Sequence, residues 1–130
     1  VVTKYIGFAF YNAKIRFYSQ GLLPHVIECN TLLTLNNSYI ISCFSDGLSC
    51  KIAINGVVLA TTLLTGTNAG QWFTNLSTTP TDNIVLGCLT YQAGSLFGKQ
   101  SLKYLQTADY VSEADILNRH LDLNLIYHIY

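Results

Sequence analysis

The stretch YIISCFSDGLSCKIAINGVVLATT, residues 39–62, decides the fold. Two dipeptides in it, Asp46-Gly47 and Asn55-Gly56, are of the kind that closes a tight hairpin, because their backbones tolerate positive φ. Counting outward from the first as a two-residue turn pairs Cys43 with Cys50, Ile41 with Ile52 and Tyr39 with Ile54. Counting outward from the second pairs Ile54 with Val57 and Ile52 with Leu59. Both counts put Ile52 and Ile54 on one apolar face, flanked by Tyr39, Ile41, Val57 and Leu59. A one-residue slip at either turn would move that face into water. The expectation is a three-stranded antiparallel meander over residues 39–62. Cys43 and Cys50 then lie opposite each other with Cα atoms about 5.5 Å apart, as in a hydrogen-bonded antiparallel pair. That spacing permits a bridge, and two packed thiols stand as the preferred alternative.

Outward from this stretch the chain keeps a β character, with short runs of Val, Ile, Tyr, Phe and Thr separated by Gly, Asn and Ser. Tyr5 to Tyr18 alternates and is broken into a strand pair by Gly21-Leu22-Leu23-Pro24. His25 to Asn30 and Thr31 to Leu35 read as further strands. A polar loop is expected from Thr65 to Asp82, then strands at Asn83 to Tyr91 and Ser101 to Gln106. A short helix is expected over Ser112 to His120: Ser112 suits the N-cap, Asp115 stands three residues on, and Arg119 and His120 complement the dipole of a last turn. Leu121 to Tyr130 returns to strand character. The 130 residues suit a single domain.

Four pieces follow one another in an order similar to that of laminin G-like and concanavalin A-like domains. Lys51 to Val58 resembles the family's strand, Asn-Gly, strand hairpin, and Asn83-Ile-Val-Leu-Gly87 its apolar strand ending in Leu/Ile-Gly. Phe97-Gly98 followed by Leu102 and Leu105 resembles its Phe-x-Gly element, and Ser112-Glu113-Ala114-Asp115-Ile116 its short helix. The resemblance covers Tyr39 to Leu121 and implies an all-β, antiparallel jelly-roll sandwich with one short helix at about 112–120. The chain departs from the family in having few strands before the region matching Tyr5 to Leu35. Tyr39 also stands where a tryptophan is common. Unpaired edges in so short a sandwich call for a partner, either further copies of the chain or other subunits.

Composition removes several function classes. Half of the residues are apolar, 11% are charged, and seven basic residues balance seven acidic ones. The basic stripe that binds nucleic acid by counterion release is missing, and no apolar run reaches the roughly 20 residues of a membrane span. The chain opens on Val1 in a strand-like stretch and holds no methionine, so it reads as a processed or partial product of a longer polypeptide. The four cysteines, Cys29, Cys43, Cys50 and Cys88, lack metal-ligand spacing.

Catalytic constellations are not evident. Glycoside hydrolysis needs two carboxylates flanking one bond, whereas Glu113 and Asp115 share a helix on which i and i+2 point apart. Neither His25, read as a loop residue, nor His120 or His128 accompanies a nucleophile elbow. A binding site fits the residues better. In the 65–82 loop, Gln71, Trp72, Phe73, Asn75 and Asp82 combine aromatic faces with amide and carboxylate groups, as a glycan ligand would require. Trp72 reads first as a core plug at the sandwich end, with the ligand platform as the alternative. Asp46 and Asp82 are the candidate ligands should a metal, calcium by its taste for oxygen donors, be bound; no other cofactor is implied. Asn36 and Asn75 open glycan-acceptor sequons. The expected function is a non-catalytic structural or adhesive module of an extracellular or virion assembly, such as a phage fibre, spike or capsid appendage, with glycan binding as an added capacity. The alternatives are a lectin domain of a secreted protein and a glycoside hydrolase-related domain.

Overall fold

A computed structural model describes residues 6–20, 23–34, 36–72, 88–91, 94–97 and 110–130, the two short segments at 88–97 by their backbone. Strands β1 (Ile6–Tyr11), β2 (Lys14–Ser19), β3 (His25–Cys29), β4 (Ile41–Ser45), β5 (Cys50–Ile54), β6 (Val57–Val58), β7 (Thr61–Gly66), β8 (Cys88–Tyr91) and β9 (Gly94–Phe97) precede one helix, α1 (Glu113–Tyr127). They form a four-stranded antiparallel sheet in the order β1-β2-β3-β7, a three-stranded sheet β4-β5-β6 and a hairpin β8-β9.

The alternation of β2 and β3 is strict: Ile15, Phe17 and Ser19 are buried, as are His25, Ile27 and Cys29, while the residues between them face outward. Ile15, Phe17, Ile27 and Cys29 pack with Cys50, Ile52, Ile54 and Trp72 in one core shared by the two sheets. The outward face of the four-stranded sheet is polar. Glu28 there accepts from Lys14 and from Arg16, and the Arg16 guanidinium lies 3.7 Å from the centre of the Tyr11 ring. Strands β4 and β5 are buried on both faces, since Phe44 and Ala53 on the second face are as hidden as Ile52 on the first. Helix α1 covers that second face: Glu113 bonds Lys51, and His120 bonds Ser42. Strand burial on both sides explains the near-continuous apolar reading of this stretch.

The hairpin register differs from the expected one by two residues. Ile41 pairs with Ile54, Cys43 with Ile52 and Ser45 with Cys50. Asp46 is the reason: its carboxylate accepts from the amides of Leu48 and Ser49, both at 2.9 Å. This side-chain cap closes a four-residue loop in place of a two-residue turn. A shift of two preserves the face, so Ile41, Ile52 and Ile54 still point together. Cys43 and Cys50 are not opposite one another, and Cys29, Cys43 and Cys50 are free thiols. The Asn55-Gly56 turn is as read: both residues have positive φ and Ile54 pairs with Val57. The third strand of the meander is only two residues long, and from Thr61 the chain crosses to pair with β3.

Three further boundaries move. The first hairpin turns at Asn12-Ala13, both left-handed at φ 48° and 59°, rather than at residues 21–24. Residues 31–34 are not strand, whereas Thr65 and Gly66, expected in a loop, end β7. The helix starts where expected, with the Ser112 hydroxyl accepting from the Asp115 amide, but runs on to Tyr127. Leu121 to Tyr127 is therefore helix, not strand. Leu121, Leu123, Leu125 and Tyr127 recur with period two as in a strand, yet most of them are exposed and the helix carries through them. Asn124 closes the end by accepting from the amides of Ile129 and Tyr130. The strand expected at Asn83 to Tyr91 is present over 88–91; its start, and the strand expected at 101–106, lie outside the described residues.

Candidate functional site

Of the residues expected to bind a ligand, Gln71 and Trp72 are described, while Phe73, Asn75 and Asp82 lie outside the described residues. Gln71 is a tether: its side-chain oxygen accepts from the Leu23 amide at 2.9 Å, and its carbonyl accepts from the Cys50 thiol. Trp72 is 6% exposed and stacks on Phe17 with ring centres 5.7 Å apart. Its ring belongs to the shared core.

Asp46 is fully engaged. Besides the two amides, its carboxylate holds Lys51 at 2.9 Å, and the same ammonium reaches Glu113 at 3.1 Å. The Lys51 hydrogen bond, followed by the two amides, brings the Asp46 carboxyl down to about 2. Among the described residues no three His, Cys, Asp or Glu side chains converge as metal ligands. Asn36, at the first sequon, is exposed and left-handed.

Two buried histidines escaped the sequence reading. His25 is not a loop residue but the first residue of β3, facing the core directly opposite Ser19. Neither of its ring nitrogens nor the Ser19 hydroxyl has a hydrogen-bond partner of good geometry. Burial lowers the His25 pKa, opposed by a weaker polar contact with the Leu23 backbone. The clue was the alternation His25, Ile27, Cys29, which puts the histidine in the buried row.

His120 is not in a last turn. It sits in the middle of α1, fully buried, with Nε2 2.8 Å from the Ser42 hydroxyl and Nδ1 accepting from the Gly56 amide at 2.8 Å. A serine beside a histidine invites a nucleophile reading, and the second bond answers it. An amide only donates, so Nδ1 carries no proton and the neutral ring holds its proton on Nε2. Nε2–H therefore donates to Ser42 Oγ and cannot remove its proton, the reverse of what an activated serine needs. The pair is a structural clasp between helix and sheet. Sequence spacing gave no sign of it, because Ser42, Gly56 and His120 meet only through tertiary packing.

The surface holds the remaining candidate. The register places Ile6, Phe8 and Phe10 on the core-side face of the four-stranded sheet, opposite Ser19, Phe17 and Ile15. Yet Phe8 is 50% and Phe10 45% exposed, with their rings edge-to-face at 6.3 Å. The three-stranded sheet covers β2 and β3 and leaves the β1 margin open. Among the described residues no strand pairs with the outer edge of β1, and no helix is long and apolar enough to cross a membrane. No family model, curated protein or solved structure matches the chain.

Proposed function

We propose that the chain is a non-catalytic structural or adhesive module of a larger assembly, of the extracellular or virion-appendage kind, and that it associates through the β1 margin. The observation that carries this is the half-exposed Phe8–Phe10 pair on the core-side face, beside a strand whose outer edge no described strand pairs. Such an edge is a template for another strand. The occupant is a second copy. Antiparallel pairing of two β1 strands about a twofold axis perpendicular to the sheet keeps both core-side faces on the same side. The four phenylalanines then form one cluster that excludes water, while the amides of both edges pair. The jelly-roll connectivity of the concanavalin A-like resemblance belongs to this proposal, supported by two antiparallel sheets that share one core. The glycan-binding alternative has less behind it, because Trp72 offers no free face for a sugar to stack on.

The test is the mass of the chain in solution. Sedimentation or light scattering should give a dimer or larger species, and the double substitution Phe8→Lys with Phe10→Lys should give a monomer with an unchanged far-UV spectrum. A wild-type chain that stays monomeric at millimolar concentration would overturn the reading.

A further inference from the structure

We propose that His120 is an acid-released latch holding helix α1 on the outer face of the three-stranded sheet. The helix is poorly anchored otherwise. Leu121, Leu125 and Ile126 face solvent, and His120 is its only buried residue. Among the described residues its further ties include the half-buried Ile116, Leu117 and Leu123, the surface pair Lys51–Glu113, the bond from the Val111 amide to the Ser45 carbonyl before the helix, and the Tyr130 side chain beside Gly56 after it. The Tyr130 hydroxyl stands 2.9 Å from where a Cβ on Gly56 would be, so the turn and the C-terminal segment are in close contact. His120 sits between these ties and grips two elements at once, β4 through Ser42 and the β5–β6 turn through Gly56.

Protonation breaks this grip for a geometric reason. A charged imidazole has two donors and no acceptor, so its Nδ1–H points at the Gly56 N–H. The bond becomes a repulsion, and a cation is left in a site without solvent. No carboxylate among the described residues bonds the ring. On the sheet side the charged group of this face is Lys51, held by Asp46 and Glu113. On the C-terminal side the titratable neighbour is Tyr130, and along the helix Arg119 and Asp122 flank His120 in sequence. Burial alone lowers the affinity of His120 for a proton. The sign follows: with the docked-state pKa below 6.5, docking is favoured above that pH and weakens as pH falls towards the docked-state value. Release would uncover Phe44 and Ala53, both buried on this face.

Hydrogen exchange of the full chain at pH 7.5 and pH 5.0, corrected for intrinsic rates, tests the latch. Amides of residues 117–127 should lose about tenfold or more of their protection at the lower pH, while those of β2 and β3 keep theirs. In His120→Gln, whose amide does not titrate here, helix protection should be the same at both pH values. Nitrogen NMR of the wild-type imidazole, which needs no variant, should show the Nε2–H tautomer. Equal protection at both pH values, parallel loss from β2 and β3 (the signature of His25 protonation or global unfolding), or an Nδ1–H tautomer would each overturn the proposal.

Discussion

At the scale of single residues, burial makes the strongest demands. Ile52 is fully buried at the centre of the shared core, so Ile52→Ala should lower the unfolding free energy by about 2–5 kcal/mol in urea titration. His25 poses the opposite case. A buried imidazole without good hydrogen bonds carries a desolvation cost that an apolar side chain of similar volume does not. His25→Leu is therefore expected to be neutral or to gain up to about 1 kcal/mol. It should also remove part of the acid sensitivity of the core, since a lowered His25 pKa means stability that is present above pH 6.5 and lost below it. Asp46 works in a lower window. Its carboxyl falls from 3.8 to about 2 on folding, so the stability it supplies is complete above pH 3.8 and disappears as pH approaches 2. Asp46→Ala should lower the urea midpoint at pH 6 and leave it almost unchanged at pH 2. Of these residues, Ile52 was legible from hairpin patterning. The engagement of Asp46 was not, because an Asp-Gly pair serves a two-residue turn and an aspartate-capped loop equally well.

At the scale of elements, turn chemistry decides where strands end. Asn55 combines a left-handed φ of 49° with a side chain that accepts from the Ile40 amide at 2.9 Å, and its Asn-Gly signal was read correctly from sequence. Ala13 shows how the same geometry hides. It occupies the second left-handed position of the β1–β2 turn with φ 59°, where glycine is the usual residue, so the dipeptide carries no turn signature. The left-handed conformation costs an L-residue roughly 1–2 kcal/mol, partly offset by the lower chain entropy of alanine. Ala13→Gly should consequently raise stability by about 0.5–1 kcal/mol, read from the same urea titration. Helix α1 shows the converse limit. Its start was legible because the Ser112 cap is a local bond, whereas its length was not. The apolar residues from Leu121 to Tyr127 are mostly exposed, so neither a helical nor a strand period marks a buried face.

At the scale of the whole molecule, the arrangement is a four-stranded sheet and a three-stranded sheet around one core, with a helix on the far side of the second. If copies join through β1, the contact should bury more than about 1,000 Å² in total. Dimer mass should then fall with dilution together with protection of the β1 amides. The sequence by itself determined the strand-rich class, the Asn55-Gly56 turn, the helix start and the face on which Ile41, Ile52 and Ile54 lie. Each of these rests on bonds or periods that span a few residues. Only the tertiary structure decided that Trp72 lies in the core and not on a platform, and that Thr61 leaves one sheet for the other. It alone buried His120 against Ser42 and Gly56, and left Phe8 and Phe10 half-exposed on a core-side face. Those outcomes depend on which distant segments meet, and a pattern of local periods holds no information about that.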